Sequence, residues 1–390
     1  MIAKPDIQPI GLDLGEDSVK MLQIELVAGR PRVRAAARAA LEDATALPRV
    51  IGDMLRCGNF AGRGVVAALP REILHIKNLR LPMIPAAELG GAIQFEARNV
   101  FNFDTDSAHV EFLAAGEVRQ GTEVRQEVIV MAARDEDVEP VIQNLHSAGL
   151  VIESLDAEPC ALYRTVERFM RRKQDEQEVV VLIEVGLRRT QVLIGRGAEI
   201  QFFKPIEVGG RRLNDSVSRK LRIEYEEALA LRRRLAEAPR PLPGHATVQD
   251  PVRQAVFDAT RSTIEELGRE ISLCLRYYSV TFRGQRPSRV RLAGGEAHDP
   301  NLATTLSAIL SLPVEPARPL ASVDTTAMRP ADRRGPMSEW AVPLGLALKK
   351  TVSRFAQLDG APRSNSTHPH VAAEVPAIQI TPGESEVAVA

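Results

Sequence analysis

Two acidic residues, each followed closely by a glycine, have the types and spacing that could hold a phosphate and its counter-ion. Asp13 precedes Gly15 at the end of one apolar run, and Glu184 precedes Gly186 at the end of another. A carboxylate can bind Mg²⁺ through retained waters, and glycine lets backbone N–H groups approach phosphate oxygens closely. We therefore predict a phosphate site at both turns, with Mg²⁺ near Asp13 and with Asp13 and Glu184 as candidate catalytic residues.

The first turn supplies most of the other predicted phosphate contacts. The Ser18 hydroxyl is expected to bond a phosphate oxygen, and the Lys20 ammonium either adds positive charge or points outward. The residues that form the turn itself are Gly11, Gly15, Glu16 and Asp17.

The second half of the chain offers matching positions. Thr190 follows Gly186 at the distance at which a hydroxyl could again reach phosphate. Gly209 and Gly210 end a strand before a helix, and a helix N-terminus attracts anions. Gly294 and Gly295 also stand between a strand and a helix, where a turn could contact adenosine.

The elements that must position these residues are repeated. Residues 8–27 predict a strand, a tight turn and a second strand, and residues 179–195 predict the same three elements. The chain therefore contains an internal duplication, and each copy is long enough to form one lobe of a two-lobed protein. Residues 71–150 predict a different order of elements: a strand at 73–82, a helix at 85–101, a hairpin and a further helix at 134–150. We therefore interpret residues 71–150 as an inserted subdomain.

Composition excludes several classes of protein. The net charge is −1, so no global field favours nucleic acid. No run of 18 apolar residues and no signal peptide is visible, which predicts a cytoplasmic protein. The three cysteines and seven histidines match no metal-site spacing. Residues 358–390 have little periodicity and are interpreted as a disordered tail.

Four motifs resemble the phosphate, adenosine and connecting motifs of the actin, FtsA and heat-shock-chaperone ATPase superfamily. They are IGLDLGEDSVK (10–20), EVGLRRT (184–190), AGG (293–295) and WAVPLGLALKK (340–350). Three longer segments, at 76–104, 206–232 and 290–302, are similar to the PilM family of type IV pilus assembly proteins. The resemblance extends over residues 8–356.

This resemblance implies an α/β, actin-like (ribonuclease-H-like) two-lobed ATPase fold with an FtsA-type inserted subdomain. The implied first lobe comprises residues 7–70, 151–172 and 339–357. The implied second lobe comprises residues 177–338, with a helical subdomain at 213–288. ATP and Mg²⁺ are expected between the lobes, with Arg232 as a further nucleotide contact. Asp156 either positions a water there or is an ordinary acid near a helix N-terminus.

The same resemblance implies partners and a location. We expect the chain to act as a scaffold that binds a short N-terminal cytoplasmic segment of a PilN-type inner-membrane protein, with further contacts to the pilus assembly platform. It would then lie in the cytoplasm at the inner face of the inner membrane and reach the membrane only through its partners. Type IV pilus and type II secretion systems both remain open.

Several residues depart from the pattern that the superfamily predicts. Glu184 replaces the usual aspartate, Leu229 replaces an acid, and Glu296 stands where a small residue is expected. Arg188 and Arg189 could grip phosphate as a fork or remain solvated, and the arginines at 232–234 are expected on a solvated helix face. We therefore expect slow or absent ATP turnover.

Two other functions remain as alternatives. A sugar- or acid-kinase-like phosphotransferase would need a carboxylate base in the cleft, and Asp156 is the candidate. An FtsA-like division protein would need a membrane-binding helix. The closing segment 338–352 is interpreted as a buried connecting helix, although a helix lying on a membrane is the alternative.

Overall fold

The computed structural model describes residues 5–41, 43–170, 172–237, 251–282 and 286–351. The predicted disordered tail at 358–390 lies outside these residues, as does the end of the implied first lobe beyond residue 351. No described helix is long and apolar enough to span a membrane.

The elements are numbered along the chain. The strands are β1 (Asp6–Ile7), β2 (Ile10–Leu14), β3 (Ser18–Val27), β4 (Arg30–Ala40), β5 (Gly64–Ala68), β6 (His75–Pro82), β7 (Ala108–Gln120), β8 (Glu123–Arg134), β9 (Val151–Asp156), β10 (Val179–Val185), β11 (Thr190–Arg196), β12 (Glu199–Ile206), β13 (Val290–Ala293) and β14 (Val314–Pro316). The α-helices are α1 (Leu47–Cys57), α2 (Ala86–Val100), α3 (Asp135–Ser147), α4 (Glu158–Glu167), α5 (Gly210–Leu221), α6 (Tyr225–Glu237), α7 (Pro251–Phe282), α8 (Pro300–Leu310) and α9 (Ala341–Ala347).

Two of the sheets have the same topology, which confirms the predicted duplication. The first sheet has the order β4-β3-β2-β5-β9, with β1 added beside β3, and the second has the order β12-β11-β10-β13-β14. In each sheet the first three strands are antiparallel and the last two pairings are parallel. The central strands β2 and β10 therefore end at equivalent places, each carrying its acidic residue next to last.

Helices cover the sheets and bury the apolar strands. Every residue of β10 is buried, because helices such as α7 cover the second sheet. Helix α9 lies against β2 and β3, where the side chains of Trp340, Leu344 and Leu348 are inaccessible to solvent. The closing segment is therefore a buried connecting helix, as predicted, and not one that could lie on a membrane.

The third sheet has the order β6-β8-β7 and is antiparallel throughout. Helix α2 packs across it through Leu89, Ile93 and Ala97. Helix α3, which we predicted as part of the insert, contacts β8 of the insert and also buries Leu145 in the apolar core of the first sheet. The helix therefore joins the insert to the first sheet.

Candidate functional site

The β2–β3 turn holds its acidic residue in an ion pair. Asp13 and Lys20 stand opposite each other in the antiparallel register, and the Lys20 Nζ lies 3.0 Å from Asp13 Oδ2. Burial by itself lowers the pKa of Lys20, but Asp13 outweighs it and the net pKa is raised. Lys20 therefore remains charged and points toward Asp13, not outward.

The tip of this turn contacts the second half of the chain. Arg188 Nε lies 2.9 Å from Glu16 Oε2, and Arg233 lies 3.7 Å from Asp17. Within the turn, the Ser18 hydroxyl donates to Asp17 Oδ1 at 3.1 Å. Burial raises the pKa of Glu16, although Arg188 opposes the shift. We call the region where this turn meets the β10–β11 turn the cleft.

Glu184 occupies the position in β10 that Asp13 occupies in β2, but its charge is balanced differently. Its register partner in β11 is Gln191, which is neutral. Arg71 donates to Glu184 Oε2 at 2.8 Å and also pairs with Glu158 at the start of α4. Burial raises the pKa of Glu184 to about 7, while Arg71 opposes this shift. The charge of Asp13 is thus neutralised by Lys20 of the same hairpin. The charge of Glu184 is neutralised by Arg71, which lies in the segment that follows β5.

Glycines at the start of α5 allow the second turn to pass very close. The Gly210 N–H donates to the Gly186 carbonyl at 2.9 Å. A Cβ at Gly209 would lie 2.6 Å from the Leu187 carbonyl oxygen, and one at Gly210 would lie 2.2 Å from Glu296 Oε1. The backbone leaves no room for a side chain at Gly209, while a side chain at Gly210 would have to displace the Glu296 carboxylate.

Arg232 is buried in an ion-pair network. It donates to Glu296 at 2.6 Å, to Asp299 at 3.0 Å and to the Asn214 side chain at 2.7 Å. The predicted solvated helix face is therefore wrong for Arg232, because two carboxylates compensate its desolvation. The same pairing occupies the guanidinium that we predicted to contact nucleotide.

The turn predicted to contact adenosine lies against the second acid. Gly294 has a φ of +89°, which an L side chain rarely adopts. A Cβ there would also lie 2.6 Å from Glu184 Oε1. At Gly295, by contrast, a Cβ would meet no described atom within 4 Å, so the turn is open on that side.

Asp156 ends β9 between two cations. Arg164 Nη1 lies 2.7 Å from its carboxylate and Lys349 Nζ lies 3.7 Å away. Burial lowers the pKa of Lys349 although Asp156 opposes this. The Asp156 carboxylate, which we predicted to position a water, is therefore already paired with two cations.

Gly11 and Thr190, which we predicted to lie at the phosphate site, are surrounded by packed backbone and side chains. A Cβ at Gly11 would lie 2.0 Å from the Pro343 carbonyl oxygen, so this glycine permits α9 to approach β2. The Thr190 hydroxyl is fully buried and donates to the Val208 carbonyl at 2.6 Å. Both residues face the packed interior.

Sequence reasoning missed the cations that balance the cleft. Arg71 follows the apolar strand β5 by three residues, and Arg164 lies in the otherwise largely apolar middle of α4. A charged residue inside an apolar pattern is the signal that could have found them. Arg188 and Arg189, whose role we left open, each pair with a carboxylate, Glu16 and Glu207 respectively.

Metal-binding groups are not assembled in the part of the chain that the structure describes. No three histidine, cysteine, aspartate or glutamate side chains converge there as ligands.

Two sheets of identical strand order, meeting at paired turns, define an actin-like α/β ATPase fold. The PilM-PilN type IV pilus biogenesis complex contains a chain that matches this one with a TM-score of 0.72 and 22% identity, covering 90% of this chain and 98% of that one. The ethanolamine utilization protein EutJ from Carboxydothermus hydrogenoformans matches with a TM-score of 0.53 and 14% identity, covering 89% and 91%.

The particular family follows from the sequence match. The model of the type IV pilus assembly protein PilM family matches residues 10–351, and the chain belongs to this family.

Proposed function

We propose that this chain is an actin-like scaffold of the type IV pilus, or of a related type II secretion, assembly platform. In this role it binds the short cytoplasmic segment of a PilN-type inner-membrane protein and contacts other platform proteins. It therefore works in the cytoplasm at the inner face of the inner membrane, which it reaches only through its partners. Membership of the PilM family supports this function, as does the fold shared with a chain of a PilM-PilN complex.

The exposed face of α2 is the observation that carries the docking site. Gly90 and Gly91 lie in the middle of this helix, where each glycine costs about 1 kcal/mol relative to alanine. A Cβ at either position would meet no described atom within 4 Å outside its own helix, so internal packing does not require them. Phe95, one turn after Gly91, is 65% exposed. We infer that the partner's backbone approaches α2 at the glycines and covers Phe95.

The proposed scaffold also binds a nucleotide, ATP, in the cleft. The open turn at Gly295 and the exposed arginines Arg188 and Arg233 support this part of the proposal, because they offer backbone access and positive charge to phosphates. The Mg²⁺ implied by the resemblance fits less well, since Lys20 already neutralises Asp13. We propose no hydrolysis step.

The two alternative functions gain no support from the structure. A phosphotransferase needs a carboxylate that is free to act as a base, whereas Asp156 is held by Arg164 and Lys349. An FtsA-like membrane helix is not offered by the closing segment, whose α9 is buried.

Peptide titration tests the proposed docking site. The probe is a synthetic peptide of the N-terminal cytoplasmic segment of the PilN-type protein from the same genome. We expect binding to the wild-type chain, and at least tenfold weaker binding to Gly91→Leu, because the leucine side chain would block the partner's backbone.

The matched control is Gly52→Leu in α1, since a Cβ at this mid-helix glycine also meets no described atom within 4 Å. This variant should bind the peptide like the wild type. Wild-type binding by Gly91→Leu would contradict the docking site, and no binding by the wild-type chain would contradict the scaffold function.

A further inference from the structure

We propose that the cleft binds a nucleoside polyphosphate as its free anion, with Arg188 and Arg233 meeting the phosphates while Lys20 and Arg71 hold the carboxylates that a divalent cation would need. This inference rests on the nucleotide site proposed above. It concerns the residues that surround the phosphates, and it predicts that binding is independent of Mg²⁺.

The Asp13 carboxylate is not available as a magnesium ligand. Mg²⁺ demands near-octahedral oxygen ligands at about 2.1 Å and retains several waters. In the structure the Lys20 ammonium lies 3.0 Å from Asp13 Oδ2. A metal ion bound to this oxygen, directly or through a water, would compete with Lys20, and displacing Lys20 would leave a largely buried ammonium without its partner, at a substantial cost.

The second acidic position is closed in the same way. Arg71 spans Glu158 and Glu184, and it donates to Glu184 at 2.8 Å. Gln191 approaches the same Glu184 oxygen at 3.4 Å. Because both equivalent strand ends are already neutralised, neither half of the duplication presents an unpaired carboxylate to a metal.

The charges in this region balance without a metal ion. Four carboxylates and four cations pair with one another, and they are Asp13, Asp156, Glu158 and Glu184 with Lys20, Arg71, Arg164 and Lys349. A divalent cation would add two positive charges to this neutral cluster. Since the cations of the cluster are already paired, the phosphates must be met by other arginines.

Two arginines on the other side of the cleft can exchange partners with an incoming phosphate. Arg188 and Arg233 are 60% and 64% exposed, and they hold Glu16 and Asp17 of the first turn. Guanidinium groups bind carboxylate and phosphate by the same forked geometry. A polyphosphate can therefore take the place of these two carboxylates, and its charge is met by arginine instead of by Mg²⁺.

Calorimetric titration of the full chain with ATP, in EDTA and in excess Mg²⁺, tests the proposal. We expect the two dissociation constants to agree within about threefold. Binding that weakens more than tenfold in EDTA would overturn the proposal, and so would the absence of binding under both conditions. A parallel titration with the PilN-type peptide separates these failures from failure of the scaffold function. The peptide should still bind if only the nucleotide proposal is wrong, and it should not bind if the scaffold function is wrong.

The Lys20→Met variant gives a sharper test. Removing the ammonium leaves Asp13 free to ligate a metal, so ATP affinity in this variant should become at least tenfold stronger with Mg²⁺ than with EDTA. The matched control is Lys204→Met on β12, which removes a lysine whose Nζ lies 3.6 Å from Glu270. ATP binding by this variant should remain insensitive to Mg²⁺. An unchanged, Mg²⁺-insensitive affinity in Lys20→Met would overturn the role of Lys20.

If Lys20→Met does not fold, Asp13→Asn serves instead. This variant keeps the cation and removes the carboxylate, so it should bind ATP in EDTA at least as tightly as the wild type. Loss of that binding would mean that the Asp13 carboxylate itself is needed to hold the ligand, contrary to the proposal.

Discussion

Glu184 makes the stability of the fold depend on pH. It is buried at the end of β10, and its pKa is raised from the ordinary 4.5 to about 7, chiefly by burial. Between these two values the folded chain holds a proton that the unfolded chain has released. Stability must therefore fall as pH rises through this window and level off above it.

Replacing Glu184 by glutamine should remove this contribution. We expect the wild type to lose about 3 kcal/mol between pH 4.5 and pH 7 through this group, as an upper value. Glu184→Gln should show a correspondingly flatter dependence, measured by urea unfolding across that range. Glu207→Gln, at an exposed carboxylate paired with Arg189, should retain the wild-type slope. Equal slopes in the wild type and Glu184→Gln would contradict the assignment.

At this scale the sequence predicted residue types better than their partners. The strand–acid–glycine pattern correctly indicated that Asp13 and Glu184 end equivalent central strands. It could not indicate that Arg71 reaches Glu184, because these residues are 113 positions apart and meet only after the two sheets associate. Partners brought together by tertiary packing leave no local periodicity.

Helix α9 closes the first half of the molecule, where it packs between β2 and α4. It packs on β2 through the space left by Gly11 and on α4 through the space left by Gly345. A Cβ at Gly345 would lie 1.7 Å from the Ala161 carbonyl oxygen. Since that atom belongs to the backbone of α4, the two helices would have to separate.

Gly345→Ala should therefore destabilise the fold, by about 3 kcal/mol or more, as expected for overpacking against backbone. Chemical denaturation of the purified variant measures this. Gly52→Ala, in the middle of α1, should instead stabilise by about 1 kcal/mol, because alanine is the better helix former and no described atom obstructs its Cβ. A Gly345→Ala chain as stable as the wild type would show that the α4–α9 contact is not close.

Elements with a strong local pattern were predicted well, and their assignment to cores was predicted less well. The helix expected at 134–150 is present as α3, and the closing helix is buried as expected. However, α3 follows the strands of the insert in sequence while Leu145 packs in the first sheet. Amphipathicity predicts that a helix has a buried face, but it does not specify which core receives that face.

The whole molecule is a duplicated fold whose halves are held together by charge as well as by apolar packing. Arg71 joins the residues after β5 to Glu184 of the second sheet, and Arg188 joins the second sheet to Glu16. The more exposed pair, Arg188 with Glu16, contributes little free energy in water. The buried pair, Arg71 with Glu184, fixes the geometry of the cleft. The insert with α2 lies outside this network and leaves its glycine face free for a partner.

Counting surface pili in a strain from which the chain has been deleted tests whether it is a scaffold for pilus assembly. We expect that deletion abolishes piliation, that the wild-type chain and Gly52→Leu restore it, and that Gly91→Leu does not. Normal piliation in the deletion strain would show that pilus assembly does not need this scaffold.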